Sequence, residues 1–307
     1  MFGPMKRVSL AVILAAMSGS VFAAADIVVD GVDPTWGRNG QPKATTPSDV
    51  FAVCADMDNM PYSNRAQEGF ENKIAELIAK DLGKKLKYQF SYDRQGFIRN
   101  TIKTGACDVI MGTTSDVDML MTSKPIYRSG YVFVTRKDSG YNITDWDSPD
   151  LRKGIIGIVG QSPPTQPLHD HDLMANARPY RLQRDLNKPP SEMIDDLAKG
   201  DIDVAIIWGP LGGYYAKHSS VPMVVTPIPE YENINAKGKE YWNISLGVRH
   251  GDKARLAEIQ EVLDRRHDDI MKILDEYGIP HVPVVEGDSI VKVYKQNVKK
   301  NVKAKSE

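Results

Sequence analysis

The stretch running from Val53-Cys54-Ala55-Asp56 through Asn59-Met60-Pro61-Tyr62-Ser63-Asn64 to Gly69-Phe70-Glu71 constrains the fold most. An apolar run enters an aspartate, then a Pro-aromatic turn, then Gly-Phe. An amphipathic helix is predicted over Phe70 to Leu82, with Phe70, Ile74, Leu77, Ile78 and Leu82 on one face and Gly83 as its stop. Strand, polar turn and helix in that order place Asp56 at the carboxyl end of a strand. Open α/β sheets build their ligand crevices there.

The alternation continues along the chain. Leu86, Tyr88, Phe90 and Tyr92 alternate as a half-buried strand, and Gln95 to Thr104 reads as a short helix ending at Gly105. Asp108 to Met111 and Tyr131 to Arg136 read as strands. A second set follows: strands at Ile155 to Val159, Asp203 to Ile207 and Val221 to Thr226, with a helix from Pro190 to Lys199. Ile244 to Arg249 reads as a returning strand. One long helix then carries Leu256, Ile259, Leu263, Ile270, Leu274 and Tyr277 inward and stops at Gly278. Two α/β lobes, each with a mainly parallel sheet flanked by helices, follow from this pattern.

The first 25 residues read as a cleavable export signal. Lys6 and Arg7 precede a short apolar core from Leu10 to Met17, and Val21-Phe22-Ala23 and Ala23-Ala24-Ala25 offer cleavage sites. The core falls short of the roughly 20 residues a membrane span needs, so a cleaved signal is favoured over a retained anchor, and no later segment reaches that length. Residues 26–48 are turn-rich and read as an irregular lead-in. The chain carries 39 basic and 40 acidic residues, a balance that argues against nucleic acid as a partner. The basic tail over 291–307, with Lys292, Lys295, Lys299, Lys300, Lys303 and Lys305, reads either as a solvated end or as an arm for an acidic protein.

Two cysteines occur, Cys54 and Cys107. An oxidising compartment permits a disulfide. If the strands ending at Asp56 and Gly112 lie side by side and parallel, however, Cys54 is late and Cys107 early, and a three-residue offset separates the two Cα atoms by roughly 11 Å, whereas a bridge tolerates less than about 7 Å. Register therefore favours two buried free thiols. The six histidines are scattered without metal-ligand spacing, so no metal and no cofactor are expected.

The opening turn resembles that of the type II periplasmic solute-binding proteins (solute-binding protein family 3). Within these, the chain is similar to the branch tied to the methanol oxidation system. The resemblance rests on Arg94-Gln95-Gly96-Phe97-Ile98-Arg99-Asn100-Thr101, on Tyr127-Arg128-Ser129-Gly130-Tyr131-Val132-Phe133-Val134-Thr135-Arg136 and on Trp208-Gly209-Pro210-Leu211-Gly212-Gly213-Tyr214. It implies lobe one from 49–135 and 245–290, lobe two from 136–244, and two hinge crossovers near Thr135 and Ser245. It also implies a periplasmic accessory protein that associates with, or helps mature, quinoprotein methanol dehydrogenase.

Amino-acid-binding members of that family hold a zwitterion between an arginine after a Gly-x-x-x-Thr turn and an aspartate at the end of a lobe-two strand. Here the first turn reads Gly112-Thr113-Thr114-Ser115-Asp116-Val117-Asp118 and is shorter, with acids where the arginine is expected. Trp208 stands where the second acid is expected. An α-amino acid is thus disfavoured, and the ligand that remains is small and uncharged. The candidate cleft residues are Asp56, Asn59, Tyr62, Arg94, Thr113, Gln161, Ser162 and Trp208. Trp208 reads equally as a stacking floor or as a filler that blocks the cleft. Gly160-Gln161-Ser162 could offer amides to an anion, but Pro163 and Pro164 make plain helix capping the better reading.

No Ser-His-Asp order, phosphate loop or nucleophile elbow occurs, and no histidine lies in a cleft segment to serve as a base. The expectation is a non-catalytic protein. The alternative is the periplasmic component of an importer for an uncharged small molecule.

Overall fold

A computed structural model of the chain describes residues 46–93, 95–115, 117–181, 186–230 and 240–287. The export signal, most of the lead-in, Arg94, Asp116 and the basic tail lie outside the described residues.

β1 (Val50–Asp56) is buried along its whole length. It leads through a small hairpin, β2 (Asp58–Asn59) and β3 (Ser63–Asn64), into α1 (Phe70–Asp81). The helix starts where the chain makes its closest approach: a Cβ on Gly69 would lie 2.0 Å from the Tyr62 carbonyl oxygen, so only glycine lets α1 begin there. Asn72 closes the start by accepting from the Gly69 and Asn64 amides at 3.1 and 3.2 Å. Gly83, at φ +64°, turns the chain after the helix.

β4 (Lys85–Ser91) pairs parallel with one edge of β1, and β5 (Val109–Thr114) pairs parallel with the other. The helix expected over Gln95 to Thr104 is broken. Gly96 at φ +96° delays α2 (Phe97–Asn100), and Thr101 leaves helical backbone before a 3-10 turn over Ile102–Thr104. β6 (Met121–Thr122) and the long β7 (Tyr127–Arg136) follow.

The second set comprises β8 (Ile156–Val159), α3 (Thr165–Asp170), β9 (Ala177–Tyr180), α4 (Glu192–Lys199), β10 (Val204–Trp208), α5 (Gly209–Lys217) and β11 (Met223–Pro227). β12 (Tyr241–Val248) returns to the first half, and α6 (Lys253–Arg265) and α7 (His267–Glu276) close the described chain. The single long helix expected here is two, because Arg266 at φ −109° interrupts it. Asp81, at the end of α1, holds both Arg265 and Arg266, the latter at 2.9 Å.

The strands form one path in the order β4-β1-β5-β12-β7-β10-β8-β9, with β11 on β7 and β6 on β12. Pairing is parallel within each half and antiparallel through β7 and β12. β7 pairs β12 from Tyr127 to Gly130, then β10 from Tyr131 to Thr135. One core lies under β1, β5 and β12 against α1, α6 and α7, built on Phe51, Phe70, Ile78, Ile259 and Leu274. Two others sandwich the second half, on Phe133, Leu151 and Leu168 on one face and Ile194, Leu197 and Ile202 on the other.

α5 was not legible in the sequence, where Gly-Pro-Leu-Gly-Gly is a poor helix former. Its glycines are packing surfaces. A Cβ on Gly212 would meet Ile207 at 2.6 Å, and one on Gly213 would meet the Gly278 carbonyl oxygen at 2.1 Å. The helix thus lies close on its own sheet and on the end of α7, and Lys217 Nζ donates to the Asp275 and Glu276 carbonyls at 3.1 and 2.8 Å.

The cysteines correct the expectation of free thiols. Cys54 and Cys107 form a disulfide with a Cα–Cα distance of 5.5 Å, buried in a satellite core with Ile102, Ile110 and Leu120. The parallel pairing itself is as expected, with Cys54 opposite Ile110. The flaw lay in extending that strand geometry back to Cys107. Cys107 precedes β5 and follows the turn at Gly105, so it approaches the face that carries Cys54 instead of lying along the strand. Arg249 fastens this segment, donating to the Cys107 carbonyl and pairing with Asp108 at 3.1 Å.

Candidate functional site

The carboxyl ends of β1 and β5 and the end of β10 converge on a cavity of about 720 Å³. That is within the range of small-molecule sites. Of the expected residues, Asp56, Asn59, Tyr62, Thr113 and Trp208 line it. Arg94 lies outside the described residues. Gln161 and Ser162 are not among the lining residues. Ser162 is buried, and its hydroxyl and amide both donate to the Val159 carbonyl, at 2.6 and 3.2 Å. The Gly160 amide donates to the Tyr180 carbonyl at 2.9 Å. These amides close a turn and are not turned toward an anion.

Asp56 is committed to the local backbone. Its two oxygens accept the Asp58 amide at 2.8 Å and the Asp93 amide at 2.7 Å, which ties the end of β1 to the segment after β4. Asp93 also lines the cavity. Glu71, one residue into α1, completes an acidic wall. Its Oε1 rests over Gly112, where a Cβ would come within 2.1 Å, so the glycine makes room for the carboxyl. Burial, then Asp93, then Asp56 push the Glu71 carboxyl up to about 8. It makes no hydrogen bond or ion pair among the described residues. The sequence analysis assigns Glu71 no role of its own. Its signal was present in the Gly69-Phe70-Glu71 turn, but only the fold brings Asp93 and Gly112 to it.

Aromatic rings form much of the remaining wall. Trp208 packs edge-on against Tyr131, with ring centroids 5.4 Å apart. Trp208 is therefore a wall of a cavity that stays open, not a plug. Tyr127 lines the same side. Burial first, then Glu71, raises the Tyr62 and Tyr127 phenols well above the ordinary tyrosine range, so both stay neutral.

The opposite wall is basic and already paired. Arg178 binds Asp196 at 3.0 Å and lies over the Tyr180 ring, and Lys188 binds Glu192. Tyr180 Oη in turn donates to Asp196 at 2.7 Å. The polarity is the reverse of the expected clamp: carboxyls lie on the β1 side and guanidinium groups on the β9 side. Tyr215 Oη donates to the Met60 carbonyl at 3.1 Å, fixing the Pro-aromatic turn to α5 from behind. No histidine is among the lining residues. Among the described residues no group of three His, Cys, Asp or Glu side chains could hold a metal ion.

The model of the bacterial extracellular solute-binding proteins, family 3, matches residues 51–279. Protein MoxJ of Methylorubrum extorquens is 30% identical over 249 residues, covering 76% of this chain and 82% of the relative. The crystal structure of the periplasmic binding protein XoxJ from Methylobacterium extorquens AM1 is similar with a TM-score of 0.64 and 36% identity, covering 76% of this chain and all of that one. The crystal structure of MxaJ from Methlophaga aminisulfidivorans MPT matches with a TM-score of 0.67 and 29% identity over the same shares. The topology above is that of the type II periplasmic binding proteins. Among the described residues no helix is long and apolar enough to cross a membrane.

Proposed function

Because the chain belongs to the bacterial extracellular solute-binding proteins of family 3, we propose that it is a periplasmic, non-catalytic binding protein of the methanol oxidation system. In this reading it associates with quinoprotein methanol dehydrogenase or helps it mature. The observation that carries the reading is the likeness to MoxJ, MxaJ and XoxJ, which spans the full length of the two solved chains. The two halves are proposed to move as lobes, 49–135 with 245–290 against 136–244, about β7 and β12. The basic tail over 291–307 is proposed to meet an acidic surface of the dehydrogenase, which would speed encounter and weaken with salt.

Pull-down from periplasmic extract at low and high salt tests this. Recovery of the dehydrogenase, reduced by salt and by truncation after Asp288, is the expected result. Absence of the dehydrogenase at both salts, with recovery of an importer permease, would establish the second reading. That reading makes the chain the solute-binding component of an importer, and it draws on the open cavity of about 720 Å³.

A further inference from the structure

The charged side chains around the cavity are matched within the chain, and what they leave facing the space is aromatic, aliphatic or neutral and hydrogen-bonding. We propose that the cavity binds an uncharged aromatic ring that carries a hydrogen-bond acceptor such as a carbonyl oxygen. The ring would lie among Tyr131, Trp208 and the isoleucines, and the acceptor would meet the Tyr127 hydroxyl. The proposal deepens the second reading above and rests on its premise that the cavity takes a small uncharged molecule; it names the class of that molecule.

The charge balance decides against an ion. Among the described residues, Asp56, Glu71, Asp93 and Glu192 line the cavity together with Arg178, Arg181 and Lys188. Asp56, Asp93 and Arg181 each have a partner within the chain. Arg178 holds Asp196 at 3.0 Å, and Lys188 holds Glu192. The Glu71 carboxyl, pushed up to about 8, is mostly protonated at neutral pH. Three carboxylates then stand against three cations. An ion entering this space would leave water and find no unmatched opposite charge, a cost that a neutral ligand does not meet.

Tyr127 supplies the polar anchor. It is 5% exposed and lines the cavity, and its hydroxyl has no hydrogen-bond partner among the described residues. Burial first, then Glu71, keeps the phenol neutral and therefore a donor. A buried hydroxyl left unpaired is costly, and an acceptor on the ligand satisfies it. Asn59 and Thr113 lie on the same lining, and their side chains make no hydrogen bond among the described residues. Both are neutral.

The ring follows from the rest of the wall. Ile110, Ile207 and Ile244 give it apolar surface, and Tyr131 meets Trp208 edge-on with centroids 5.4 Å apart. Rings so placed add an aromatic contribution to simple area burial only when the ligand is itself aromatic. A sugar or polyol would set hydroxyls against the isoleucines without partners.

Titration calorimetry on the full mature chain at pH 7 tests the proposal with four probes of similar size: benzamide, benzoate, benzylammonium and cyclohexanecarboxamide. Benzamide should bind at least about tenfold more tightly than either ion. It should bind about threefold or more tightly than the saturated amide. Tyr127→Phe, which keeps the ring, should weaken benzamide by about threefold to tenfold and leave toluene unchanged. Trp208→Leu should reduce the preference for benzamide over the saturated amide. Melting temperatures establish that each variant is folded. If the saturated amide binds as well as benzamide, the aromatic class is overturned while the uncharged-ligand reading stands. If either ion binds as tightly as benzamide, the proposal and that reading fall together. The proposal is also overturned if benzamide does not bind up to about 10 mM, or if a folded Tyr127→Phe variant binds it unchanged.

Discussion

Glu71 is the residue at which the architecture is least at ease. Its carboxyl titrates near 8 in the folded protein against 4.5 ordinarily, so the folded state holds a proton that the unfolded chain releases in between. The associated stability is complete below about 4.5, falls as pH rises, and is fully lost once pH passes about 8. Glu71→Gln removes that loss. The variant should match the parent near pH 4.5 and melt at a progressively higher temperature than the parent up to pH 8.5. The gain should be of order 3 kcal/mol, since solvent reaching the carboxyl through the cavity moderates the full shift. Melting curves of both proteins across that range check it, and a gap that stays constant with pH would exclude Glu71 as the source.

At the scale of elements, two contacts carry more than their local sequence suggests. α5 is held by backbone approach at its glycines. Gly213→Ala improves helix propensity by about 1 kcal/mol but drives a methyl into the Gly278 carbonyl, 2.1 Å away. The steric term should win, with a net loss of about 2 kcal/mol in urea unfolding. A stabilised variant would mean that α5 does not lie on the end of α7. The disulfide joins cysteines 53 residues apart, ahead of β5 and within β1. Alkylation of denatured, unreduced protein should label neither cysteine. Replacing both by serine should cost about 4 kcal/mol in the loop-entropy account, measurable as a lower urea midpoint. Labelling of both cysteines would instead restore the free-thiol expectation.

For the molecule as a whole, β7 matters most because neither half owns it. β7 changes partner between Gly130 and Tyr131, so its first part completes one half and its second part the other. The hydrogen bond from Tyr215 to the Met60 carbonyl adds a side-chain tie between the halves. Neither half can lose its sheet without stripping strands from the other. Unfolding should therefore be a single transition, coincident by tryptophan fluorescence and far-ultraviolet circular dichroism. Trp146 reports on the second-half core and Trp242 on the first. Two separated transitions would show that the shared strands do not couple the halves.

The sequence by itself determined the strand–helix alternation, the helix face of α1, the turn at Gly83 and the place of Asp56 at the carboxyl end of its strand. Those features follow from periodicity and turn chemistry, which act over a few residues. The tertiary structure alone decided the break at Arg266, the helix at Gly209–Lys217, the disulfide and the acidic wall of the cavity. Each depends on groups distant in the chain: Asp81 against Arg266, Gly278 against Gly213, Cys54 against Cys107, and Asp93 and Gly112 against Glu71. Local pattern carries no information about such distances, because they are fixed only when the strands choose their partners.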